Sequence, residues 1–146
     1  MVDPAAYADV IACKLAAIDR YAERLQDRHL SHFGRLYYAD RGSLETITTT
    51  LAVVLMGADA DPIPTPGHFA GKWMSADRDQ QTGARVLVPM NNGQFKRFAR
   101  ALYDRNAALW DAKQVHFATV EAMAAAGATV AEIAAYDHTA CWPEVA

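Results

Sequence analysis

Lys96, Arg97 and Arg100 crowd the start of a helical pattern in Asn91-Asn92-Gly93-Gln94-Phe95-Lys96-Arg97-Phe98-Ala99-Arg100. A first helical turn already carries the positive end of the helix dipole and free N–H groups, so acidic residues would be the self-stabilising choice there. Cations in that place invite a phosphate or a carboxylate instead. The expected anion-binding helix N-terminus consists of the Asn92 and Gly93 amides with Lys96, Arg97 and Arg100. His68 and Trp73, just upstream, are the expected neighbours that add contact.

Other chemistry has thinner support in the pattern. No Gly-x-Ser-x-Gly, no phosphate-cradling glycine loop and no helix-borne His-Glu pairing occurs, so no catalytic residue and no cofactor is expected. Asp59, Asp61 and His68 on a proline-rich loop are the best acid–base set. Opposite Lys96, Arg97 and Arg100 they would suit a small enzyme acting on a phosphorylated or carboxylate substrate. His29-x-x-His32 and His138-x-x-Cys141 have ligand-like spacing, with His68 and His116 in reserve, but lack the cysteine-rich context of a structural zinc site; no metal is expected. Cys13 and Cys141 read as buried small side chains rather than a disulfide.

The elements that must position these residues follow from punctuation and period. With 146 residues, about half of them apolar, the chain is expected to form a single compact domain spanning 1–146. Asp3-Pro4 opens a helix over 4–28, with Tyr7, Ile11, Leu15, Ile18, Ala22 and Leu25 on one face. Residues 29–42 fit either a short helix or an extended connector. Ser43 is the expected N-cap of the next helix and Gly57 its left-handed C′ residue. Three alternating prolines make 58–67 a loop. Phe69–Met74 and Val86–Val88 predict a β-hairpin. A long amphipathic helix follows over 93–113, with Phe95, Phe98, Leu102, Leu109 and Trp110 on its apolar stripe. Residues 120–136 then read as helix, Gly turn and second helix, opened by the capping box Thr129…Glu132. The fold class is therefore mainly α (α+β), with four to five helices and a small central β-hairpin.

Charge narrows the partner. Fourteen basic against 17 acidic residues exclude nucleic-acid binding by bulk charge. Residues 85–113 are nonetheless net positive by four, while 114–146 hold four acids and no Lys or Arg. Either the acidic tail neutralises the basic helix within the fold, or the helix faces a partner. The longest apolar run, 51–58, is too short to span a membrane, and a cytoplasmic location is the default expectation. The reading is a small binding or interaction protein, of adaptor or inhibitor type, docking on an acidic protein surface through the basic end of helix 93–113. A nucleic-acid contact through the same basic end, helped by the partial helix-turn-helix of the C-terminal segment, is the third reading, since no recognition helix follows it.

Overall fold

A computed structural model of the chain describes residues 3–146. It is mainly helical with a small antiparallel β component: α1 (Pro4–Gln26), β1 (Leu30–His32), β2 (Arg35–Tyr37), α2 (Arg41–Val54), β3 (Lys72–Arg78), β4 (Arg85–Pro89), α3 (Asn92–Ala125) and α4 (Val130–Ala135). Contacts divide the chain into two compact units. One comprises the residues up to Leu25 with Ala107–Glu144, the other Gln26–Asn106 with Val145–Ala146.

In the first unit, α1 starts where its punctuation places it. Asp3 accepts from the Ala5 N–H at 3.1 Å, and Pro4 takes a first-turn position that needs no donor. Ile18, Val120 and Ile133 form the core, with Tyr7, Leu15 and Phe117 packed against it. Cations and hydroxyls satisfy the carbonyls that helix ends leave open. Tyr7 donates to Ala128 O at 2.9 Å, and Lys14 Nζ to Ala134 O and Tyr136 O at 2.9 and 3.0 Å. Thr129 caps α4 by accepting from the Glu132 N–H, as its spacing predicts. His116, 4 % exposed, meets Tyr136 Oη at 2.6 Å and stacks on Trp142.

Several expectations need correction here. The helix expected over 93–113 continues without a break to Ala125, so 114–119 is helical and 120–126 is no separate helix. Trp110 leaves the apolar stripe and is 57 % exposed, its ring 4.3 Å from Lys113 Nζ. Cys13 and Cys141 are both exposed and free. The acidic tail forms no ion pair with the basic helix among the described residues: Lys113 pairs with Asp19, and no ion pair involves Glu121, Glu132, Asp137 or Glu144.

The second unit packs Leu30, Tyr37, Ile47, Ile63, Phe95 and Phe98 into one core. Within 29–42, residues 30–37 form neither a helix nor a plain connector but a second hairpin, with Leu30↔Tyr37, Ser31↔Leu36 and His32↔Arg35 in register, and Arg41 already begins α2. Its two-residue turn, Phe33-Gly34, has φ of 48° and 75°, the doubly left-handed geometry that matches strand twist. The hairpin expected between 69 and 90 is present as β3 and β4, with Trp73↔Val88 and Met74↔Leu87, then an irregularity before Arg78↔Arg85.

Helix α2 begins earlier than Ser43. Asp40 is its N-cap residue, and Ser43 Oγ donates to the Asp40 carboxylate instead of accepting from the backbone. Gly57 is not left-handed; its lack of a side chain admits Asn92. In the proline loop, Pro62, Pro64 and Pro66 offer no N–H, so the ordering bonds fall to the residues between them. Ile63 N donates to Met90 O at 3.1 Å and its side chain is 2 % exposed in the core.

Candidate functional site

The mouth of α3 is closed by the chain itself. Asn91 and Gln94 form a reciprocal cap: Gln94 N donates to Asn91 Oδ1 at 2.8 Å, and Asn91 N to Gln94 Oε1 at 2.9 Å. Asn92 N donates to Asp61 O at 2.8 Å and Gly93 N to Asp59 O at 3.0 Å. Every first-turn donor is therefore spent on the proline loop or the cap, and Asn92 and Gly93 fasten that loop instead of facing an anion. The Asn92 side chain is buried, donating to Ala58 O at 2.9 Å, while its Oδ1 has no partner.

The three cations separate in role. Lys96 Nζ holds Asp59 at 2.6 Å, which realises the expected juxtaposition of the loop carboxylate and the helix as an ion pair. The Lys96 bond, with a smaller pull from Arg97, holds the Asp59 carboxyl below its usual range. Arg100 pairs with Asp104 one turn along, at 2.9 Å, and lies over Tyr103. Arg97 is exposed and makes no ion pair among the described residues. The expected unneutralised cluster is thus reduced to one free guanidinium, because the proline loop and the helix supply carboxylates to the other two.

Arg97 opens onto a cleft of about 500 Å³, lined with His32, Phe33, Arg35, Met90 and Gln94. The sequence marks His32 only through its ligand-like spacing from His29 and does not single out Phe33 or Arg35. The signal available was Phe33-Gly34 itself, a Gly-containing dipeptide between Leu30-Ser31-His32 and Arg35-Leu36-Tyr37, once it is read as a hairpin turn. Phe33 is 85 % exposed, in a backbone region that side-chain-bearing residues other than Asn and Asp seldom enter. Its ring lies 4.4 Å from that of His32. Arg35 is partly engaged, holding Asp77 at 2.7 Å, while Asp77 also accepts from Leu36 N. That bond to Arg35 holds the Asp77 carboxyl below its usual range. Burial, with Arg97 adding to it, lowers the pKa of His32, so its imidazole is neutral at pH 7.

The remaining candidates lie elsewhere. His68 sits exposed in the short 3₁₀ turn Gly67–Phe69, its ring edge-on to Phe69 at 5.5 Å. Asp61 accepts from the Ala58 N–H, which ties it into its own loop. Trp73 is half-buried, edge-on to Phe95 at 5.0 Å, with its free side on a groove next to Phe69. Among the described residues no group of three or more His, Cys, Asp or Glu is placed to hold a metal ion. His29 instead packs edge-on to Tyr38, His138 edge-on to Tyr21, and Cys141 is exposed. After α4, no further helix follows among the described residues, which leaves the helix-turn-helix pattern without a reading helix. No described helix is long and apolar enough to cross a membrane. Comparison with family models, with curated proteins and with solved structures found no match to this chain.

Proposed function

We propose that this protein is a binding module that takes an acidic segment of a protein partner in the cleft between the β1–β2 turn and the start of α3. The observation that carries the reading is Phe33. A large aromatic side chain held out into solvent from a left-handed turn position costs about 1–2 kcal/mol in backbone energy, and the ring contact it makes within the fold is with His32, its neighbour in sequence. Beside it, Arg97 makes no ion pair among the described residues, and Arg35 adds a second guanidinium that is paired with the half-buried Asp77. An aromatic anchor next to a free guanidinium suits a partner segment with an apolar residue flanked by Asp or Glu. The ring supplies contact area at low entropy cost, and the charge supplies orientation and on-rate.

The test is peptide display against the full chain, comparing wild type with Phe33→Asn and Arg97→Glu. Asn is at home in left-handed backbone, so Phe33→Asn removes the anchor and leaves the turn intact. Wild type is expected to enrich acidic sequences with an apolar centre, and both variants to lose that enrichment. Identical enrichment by all three proteins would overturn the reading.

A further inference from the structure

The β3–β4 hairpin sets two arginines directly across from one another. Arg78 and Arg85 are register partners on neighbouring strands, on the same face, and both are exposed. Like charges in that relation destabilise a sheet. Nothing within the fold relieves them: neither makes an ion pair among the described residues, and Arg78 donates only to Gly83 O, at 3.3 Å. The nearby carboxylates are occupied elsewhere, Asp77 by Arg35 and Leu36 N, and Asp79 by the Gln81 and Thr82 amides.

Arg78 and Arg85 both line a cavity of about 130 Å³, together with Tyr38, Met74, Ser75 and Ala76 and no acidic residue. At about 30 Å³ per water, that is room for about four waters, the scale of one oxyanion group. Tyr38 and Met74 also line a groove of about 490 Å³, so the two spaces share these two residues. That groove has the size of a small-molecule site. Its walls are Tyr38, Phe69, Trp73 and Pro66, with Lys72 adding a second source of positive charge. At its edge Asp40, fixed by the Ser43 hydroxyl, offers carboxylate oxygens to a hydroxyl or amino donor.

We propose that this composite site binds a phosphate monoester with a flat aromatic body, of the nucleoside monophosphate class. The phosphoryl group lies between Arg78 and Arg85, whose planar forks match its oxygens and whose mutual repulsion it cancels. The aromatic body lies in the groove against Tyr38, Phe69 and Trp73, and a sugar hydroxyl or ring amine donates to Asp40. The site is separate from the Arg97 cleft and does not rest on the reading given for it.

Isothermal titration of the full chain with adenosine 5′-monophosphate, adenosine and inorganic phosphate tests the assignment. The monophosphate is expected to bind at least about tenfold more tightly than either fragment, since one site joins both contacts. Arg78→Gln and Arg85→Gln are expected each to weaken it about tenfold while leaving thermal stability unchanged or higher, which separates lost binding from unfolding. Phe69→Ala is expected to weaken the monophosphate but not inorganic phosphate, and Arg97→Glu to change neither. Absence of monophosphate binding, affinity no better than that of inorganic phosphate, or wild-type affinity in the Arg78→Gln/Arg85→Gln double variant would each overturn the proposal.

Discussion

The side-chain amide nitrogen of Asn92 lies 2.7 Å from the point where a β-carbon on Gly57 would stand. Glycine is needed there for close approach and not for its backbone angle. Gly57→Ala is therefore expected to displace Asn92 from Ala58 O and cost about 1–3 kcal/mol, the price of a buried polar group left unpaired. With Asn92→Ala already present, the same change is expected to be neutral or slightly stabilising, because alanine reduces the freedom of the unfolded chain. Urea unfolding of the two single variants and the double variant measures the coupling.

Phe33→Asn is expected to raise stability by about 0.5–1 kcal/mol, because Asn tolerates the left-handed angle that Phe33 is forced into. A Tm at or above that of wild type in differential scanning calorimetry checks this. A lower Tm would mean that the Phe33 ring supports the fold through His32, and would remove the argument for an outward-facing anchor.

Arg105 closes a gap between helices within the second unit. Its guanidinium donates to Arg28 O at 2.6 Å and to Gln26 O, the carbonyl that ends α1 two residues before the sequence pattern runs out. Burial lowers its pKa, though not enough to discharge a guanidinium at any ordinary pH. Arg105→Met keeps most of the stem packing and removes the donors, with an expected loss of about 1.5–3 kcal/mol by denaturant unfolding.

In the first unit, Tyr136→Phe leaves His116 Nδ1 buried without its hydroxyl partner. A loss of about 1–2 kcal/mol is expected, with little change in helix content by circular dichroism.

His32 makes stability depend on pH in a defined direction. Its folded pKa lies below the ordinary value of 6.5, so between the two values the unfolded chain binds more protons. Its contribution is therefore present above about pH 6.5 and is lost as pH falls through the lower, folded pKa. His138 acts in the same sense, again through burial first. Stability is expected to fall from pH 7 towards pH 5, less steeply in His32→Gln and least in His32→Gln/His138→Gln. Asp59 and Asp77, whose pKa values are lowered, keep their contributions until pH drops below about 4, so the two effects occupy separate windows. A partner carboxylate at Arg97 would offset part of what lowers His32, so binding should strengthen as pH falls from 7 to 6.

Local punctuation and period were enough to place α1, the β3–β4 hairpin, the proline loop and the Thr129 cap, because each depends on residues within a few positions of one another. The Asp3-Pro4 start, the β-branched Val86–Val88 run and the alternating prolines restrict the backbone wherever the rest of the chain lies. The first hairpin escaped, since its strands are only three residues long and their pairing depends on Leu30 and Tyr37 entering a core made by Phe95 and Phe98. The continuity of α3 past Lys113 likewise depends on Val120 and His116 finding partners from α1 and the closing segment.

The candidate sites divide the same way. Sequence alone identified a cationic cluster at a helix start, because residue type and helical spacing are local properties. Which of those cations stayed free was a tertiary matter. Asp59 and Asp61 lie more than thirty positions upstream, yet their loop folds over the first turn of α3, filling its amide donors and neutralising Lys96. Charge is written into each residue, but whether it meets an opposite charge depends on chain-distant neighbours, and only the folded structure brings those within the few ångströms over which they act.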